Sequence, residues 1–112
     1  MKRLALFAAY DKDGLVDDYV VFYLKELSKC ADIIYVADCA IKERELDKIH
    51  PYTLKAIAKR HEEYDFGSYK RAYFYAKEND LLKYYDELIL CNDSVYGPFF
   101  HLCSNDGGGG IV

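Results

Sequence analysis

Arg3 to Ala9 is a nearly continuous apolar run, and Asp32 to Ala37 and Asp86 to Cys91 repeat the pattern. Short runs without alternation predict strands buried on both faces, the kind that build parallel sheets. Between them the period changes. Val16, Val20, Tyr23, Leu24 and Leu27 recur at helical spacing, with Lys25, Glu26 and Lys29 opposite. That stripe predicts a helix opening at Asp17-Asp18, where carboxylates favour the positive end of the helix dipole. Ile41 to His50 predicts a short second helix that Pro51 stops. Lys55 to Arg60 is assigned to a strand because the surrounding order alternates, although Leu54, Ile57 and Ala58 also fit a helix. Ser68 reads as the N-cap of a helix over Tyr69 to Asn79, with Ala72, Phe74, Tyr75 and Ala76 as its apolar side. The alternation predicts an α/β fold: a Rossmann-like, mostly parallel sheet of about four strands with flanking helices.

Ligands of such sheets sit beyond the carboxyl ends of the strands, where the strand order reverses. Those ends carry Tyr10-Asp11, Asp38, Arg60-His61 and Asn92-Asp93. A polar edge on an apolar sheet is therefore the expected site.

With 112 residues, 52% of them hydrophobic, the chain can bury the core of one domain or of part of a larger one. Its formal charge of −4 lacks the basic footprint of a nucleic-acid binder. No apolar run reaches the roughly 20 residues that span a bilayer, and the N-terminus has no signal-peptide pattern. The expected place is the cytoplasm. Cys30, Cys39, Cys91 and Cys103 form no CxxC pair, so buried free thiols are expected rather than zinc ligands or disulfides. Twelve Tyr and six Phe stand out, because such rings line sites for sugars or bases as readily as they fill a core with wet edges.

Three segments carry candidate chemistry. Asn92-Asp93-Ser94 follows a buried strand, where the Asp93 carboxylate suits a divalent cation, Mg²⁺ or Mn²⁺, bridging a diphosphate. Asp93 serves equally as the cap of the next turn. In Asp65 to Arg71, Gly67 permits close backbone approach, a helix opening at Ser68 offers free amides, and Lys70 and Arg71 add charge for a phosphate. The competing reading is a turn and cap with solvated basic residues. His61 is placed to act as a base or a phosphate contact, or as a surface or capping residue. The acids Asp11, Asp13, Asp17 and Asp18 do not make a Ca²⁺ loop, because position twelve from Asp11 is Phe22 rather than Glu.

Tyr10-Asp11-Lys12-Asp13-Gly14 with Val16-Asp17-Asp18-Tyr19, then Tyr64 to Arg71, then Asn92-Asp93-Ser94-Val95-Tyr96-Gly97-Pro98 together resemble the rhamnan synthesis protein F family. The resemblance covers about residues 3 to 100. It implies a glycosyltransferase of bacterial surface-polysaccharide assembly, rhamnosyltransferase-like, that takes a dTDP-rhamnose-like nucleotide sugar and a lipid-linked glycan acceptor. It also implies a cytoplasmic place, peripheral at the inner face of the membrane. The element order is similar to the nucleotide-binding half of GT-A glycosyltransferases. That likeness implies a base or ribose contact at Asp38, a glycine turn at Gly67 and a metal-diphosphate site at Asp93. Asn92 stands where an Asp-x-Asp motif has its first acid. Without a metal, Arg60, Lys70 or Arg71 would have to neutralise the leaving diphosphate. Tyr10, Asp11, Asp65 and Asn92 complete the expected nucleotide-sugar site.

Residues 1–100 thus read as a donor half-domain too short for transfer on its own, and residues 101–112 as a Gly-rich disordered tail. Four consecutive glycines at 107–110 suggest a guanine tract in which slippage ended the frame early; the nucleotide sequence of the locus decides this. The alternative is an inert remnant or a non-catalytic α/β interaction module whose face is Tyr69, Tyr73, Tyr84 and Tyr85.

Overall fold

The computed structural model describes residues 2–93. Four strands, β1 (Arg3–Ala9), β2 (Asp32–Ala37), β3 (Lys55–Ala58) and β4 (Glu87–Asn92), form one sheet in the order β3-β2-β1-β4. Every pairing is parallel. Three helices connect them: α1 (Asp18–Leu27), α2 (Glu43–Leu46) and α3 (Tyr64–Glu78). The α/β reading with a parallel sheet is what the chain forms.

The apolar runs are continuous because both faces of β1 and β2 are covered. Ala5, Phe7 and Ala9 join Ile33, Tyr35 and Ala37 on one face, against Val20, Tyr23, Leu24 and Leu27 of α1. Phe7 stacks on Tyr35 at 5.7 Å and meets Tyr23 edge-on at 5.2 Å. The other face, Leu4, Leu6, Ile34 and Val36, packs against Ala72 and Ala76 of α3. Small residues at those two helix positions let α3 lie close to the sheet.

Several boundaries differ from the sequence reading. The helix expected over 41–50 shrinks to the four residues of α2, and Pro51 sits inside a 3₁₀ turn, His50–Tyr52. Proline is tolerated there because a first-turn residue needs no N–H. β3 stops two residues short, at Ala58, and β4 runs one residue further than expected, to Asn92. The largest correction is α3. It opens at Tyr64, so Ser68 is not an N-cap but a buried residue inside the helix, and Phe74 faces solvent rather than the core. The chain turns into α3 through Glu62 (φ 61°) and Tyr64 (φ 58°), both left-handed although neither is a residue type that favours that region.

Cys39 and Cys91 are buried free thiols, as expected, whereas half-buried Cys30 is not among the free ones. The tyrosine face is only partly open: Tyr73 and Tyr84 are exposed, whereas Tyr69 and Tyr85 are engaged. Tyr69 donates its hydroxyl to the Cys91 carbonyl (3.0 Å), Tyr85 donates to Asp32 (2.6 Å), and both rings pack on the α3 side of the sheet. Burial pushes the Tyr69 hydroxyl up to about 12, so it stays a donor. Among the described residues no helix is long and apolar enough to cross a membrane. Cys103, Ser94 to Pro98 and the Gly-rich tail lie outside the described residues.

Candidate functional site

Because β2 and β3 lie to one side of β1 and β4 to the other, the strand order reverses between β1 and β4. Polar residues gather where the four carboxyl ends meet. After β1, the Asp11 carboxylate accepts the amides of Asp13 (2.9 Å) and Leu15 (3.0 Å), which winds Tyr10 to Gly14 into a tight turn. Gly14 closes it with φ 69° and its amide on the Asp11 carbonyl at 3.1 Å. A Cβ on Gly14 would stand 2.5 Å from the Ala40 carbonyl oxygen. Gly14→Ala therefore combines a left-handed backbone with a backbone clash, and it should cost about 2 kcal/mol in urea unfolding. A wild-type midpoint for that variant would show that the turn relaxes freely.

At the end of β2, one oxygen of Asp38 accepts the amides of His61 (2.6 Å) and Glu62 (2.8 Å), tying down the loop between β3 and α3. Burial works against the ionised form, but these amides outweigh it and hold the Asp38 carboxyl below its ordinary range. His61 is no surface residue, since its side chain is only 2% exposed. Its Nδ1 accepts the Glu63 amide at 3.0 Å, so the ring proton sits on Nε2, which donates to Ser68 Oγ at 2.8 Å. The approach of Nδ1 to Asp38 at 3.6 Å is thus not an ion pair, because that nitrogen carries no proton. Asp, His and Ser stand together, yet the tautomer is the reverse of a nucleophilic triad and Ser68 is buried. The cluster locks a loop.

At the end of β4, Asp93 Oδ2 accepts the Tyr10 amide across the reversal point at 2.8 Å, and Asn92 donates to Asp65 at 3.1 Å. Burial raises the Asp93 carboxyl above its ordinary range; the Tyr10 amide opposes this, and the Asp65 and Asp11 carboxylates reinforce it.

Above these ends lies a cavity of about 900 Å³ lined by Ala9 to Gly14, Asp38 to Ala40, Arg60, Glu62, Tyr64 and Asp65. Of the expected site residues, Tyr10, Asp11, Asp38, Arg60 and Asp65 line it, and Asn92 and Asp93 are joined to it through Asp65 and Tyr10. Gly67, Lys70 and Arg71 do not line it. Gly67 is inside the first turns of α3, where a Cβ would meet Glu63 and His61. Lys70 and Arg71 both turn to Glu63, and with Arg71 leading they hold its carboxyl below the ordinary range. Arg60 reaches Glu62 at 2.8 Å. Lys12, Glu62 and Tyr64 were not singled out from sequence as site residues. Lys12 and Tyr64 fall within the motifs that carry the family resemblance, whereas Glu62 is an ordinary turn residue with no signal in the sequence.

The lining therefore carries the carboxylates of Asp11, Asp13, Asp38, Glu62 and Asp65 against the cations of Lys12 and Arg60. Among the described residues the one group of three metal-capable side chains with mutually close ligand atoms is elsewhere, at exposed Glu43, Asp47 and His50.

In a comparison with known families, the sequence pattern of rhamnan synthesis protein F fits residues 33–105, well over half of the chain. No curated protein and no solved structure matches the chain.

Proposed function

The chain belongs to the rhamnan synthesis protein F family, and on that footing we propose that the cavity at the strand ends is the donor site of a glycosyltransferase. Its ligand is a nucleoside diphosphate sugar of the dTDP-rhamnose kind. The acceptor, a lipid-linked glycan, would be engaged by a full transferase working on the cytoplasmic side. The observation that carries this reading is one cavity of about 900 Å³ at the carboxyl edge of a parallel sheet, where nucleotides bind in open α/β folds.

Asp38 and Asp93 end strands that are two places apart in the sheet, about 10 Å by strand spacing. That span suits a ribose hydroxyl at one end and the diphosphate at the other. Asp38, kept ionised, accepts from the ribose; Tyr10 and Tyr64 offer ring faces to a base or sugar. A diphosphate cannot enter an acid-rich lining unneutralised. Lys70 and Arg71 are engaged by Glu63 outside the cavity, so the charge balance favours a cation over side-chain neutralisation. Mg²⁺ is commonly held by one or two carboxylates, with phosphate oxygens completing its shell. Asp93, with Asp11 and Asp65 nearby, fits that demand. Mg²⁺ or Mn²⁺ bound there would supply charge neutralisation of the leaving diphosphate.

Thermal shift with dTDP, UDP and GDP, each with and without Mn²⁺ or Mg²⁺, tests the reading. One nucleotide should raise the midpoint in the presence of the cation, by about 2–3 kcal/mol equivalent at a hundredfold excess over Kd. A folded chain that responds to none of them would remove the donor-site reading and leave the interaction module.

A further inference from the structure

The Nδ1 atom of His61 stands between two partners that ask opposite things of it. The Glu63 amide, 3.0 Å away, needs its lone pair, whereas Asp38 Oδ1, 3.6 Å away, would need it to carry a proton. The ring itself is held in place. Ser68 Oγ lies 2.8 Å from Nε2, and Gly67 leaves room for the imidazole, since a Cβ there would stand 2.9 Å from His61 Cε1. The segment that the ring governs is strained. Glu62 and Tyr64, on either side of Glu63, are left-handed, a conformation that such residues keep only when surrounding contacts impose it. Two contacts do so: Asp38 grips the Glu62 amide and His61 grips the Glu63 amide. Glu62, Tyr64 and Asp65 form one wall of the cavity.

We propose that His61 is a proton-operated latch on that wall. With the ring neutral, Nδ1 accepts the Glu63 amide and the strained turn is kept. A proton taken from solvent fills the Nδ1 lone pair. The Glu63 amide then loses its acceptor, and the new N–H turns to Asp38 Oδ1. The turn relaxes, and Glu62, Tyr64 and Asp65 leave their places at the cavity. The groups around the ring pull in opposite directions. Asp38, at the end of β2, favours the imidazolium. Against it stand the burial of a side chain only 2% exposed and the amino end of α3, whose dipole opposes a cation. Glu62 is matched by Arg60, and Glu63 is outnumbered by Lys70 and Arg71, so neither adds a free negative charge. Opposed pulls of this kind leave the choice of partner to the proton. This inference stands whether or not the cavity takes a nucleotide sugar.

The whole chain, labelled with heavy nitrogen, is followed by NMR from about pH 8 down to about pH 5, the span in which histidines change charge. The His61 ring should show the Nε2–H tautomer at the upper end and take up its second proton within the span. With the same midpoint, the amides of Glu62 to Asp65 should shift, and exchange protection of the Glu63 amide should fall about tenfold. The amides of β1 and β2 should hold still. His61→Asn offers the Glu63 amide an oxygen that takes no proton, as asparagine does two residues ahead in turns, so its wall should not respond to pH. His61→Gln can still reach Ser68 but leaves the Glu63 amide without its acceptor, so its wall should be loose throughout. A His61 ring that keeps one charge state across the span overturns the proposal. So does a ring that titrates while the wall amides stay still, or a pH response that survives in His61→Asn. Should a variant fail to fold, the wild-type titration alone decides.

Discussion

Asp38→Ala is expected to cost the fold about 3–5 kcal/mol, because two amides, His61 and Glu62, lose a charged acceptor at once. For a domain whose whole stability is on the order of 5–15 kcal/mol, that is a large share. The damage should be local in origin: the loop between β3 and α3 loosens, His61 loses its setting, and the first turn of α3 frays. Asp38→Asn keeps an acceptor oxygen but not the charge, so its cost should be clearly smaller. The pH dependence carries the same signature. The folded carboxyl is depressed, so Asp38 stabilises fully above the ordinary carboxylate pKa of about 3.9 and that contribution is lost as pH falls through the lower folded value. In Asp38→Asn this part of the acid limb should disappear. Urea midpoints across that acid range decide it, and an unchanged acid limb in Asp38→Asn would falsify the role given to the carboxylate.

Asp93→Asn should separate binding from stability. The folded carboxyl is raised, so the sign is opposite: its protonated form is favoured by the fold, and stability is lost as pH rises through the raised value. At neutral pH the ionised Asp93 is a burden, kept next to Asp65 and Asp11. Asparagine preserves an acceptor for the Tyr10 amide and removes the charge. The variant should therefore be at least as stable as wild type at pH 7, with any advantage shrinking as the solution is acidified below the ordinary carboxylate range. Its cation-dependent thermal shift with nucleotide should vanish, a drop of tenfold or more in affinity. A destabilised Asp93→Asn at pH 7 would mean that the carboxylate holds the strand ends together rather than waiting for a ligand. Retained nucleotide response would move the diphosphate away from Asp93.

How far such features are legible beforehand depends on the range of the contacts that make them. β1 and β2 are readable to the residue because burial on both faces writes itself as an unbroken apolar run. α3 is misread at its start because Ser68 carries the chemistry of an N-cap, while its hydroxyl is engaged by His61, which no local pattern announces. The same distance effect removes Lys70 and Arg71 from the cavity: Glu63 takes both from about two helical turns away. Asp38 was readable as a strand-end acid, but its grip on the His61 and Glu62 amides exists only once β2 and β3 are neighbours. Phe74 reads as core simply because it is apolar; only the packing of Ala72 and Ala76 against the sheet shows which side of α3 faces inward.

The sheet order also sets a timetable for biosynthesis. β1 lies at the centre, between β2 and β4, yet Arg3 pairs with Glu87, 84 residues later in the chain. At about 5–20 residues per second, translation leaves roughly 4–17 seconds between the two strands. Through that interval β1 can join β2, but its other edge stays open, an apolar strand with unmatched backbone groups. The nascent chain is then most exposed to mispairing with its neighbours on a polysome. A chaperone that shields extended apolar segments should matter more for the yield of this protein than its modest size suggests.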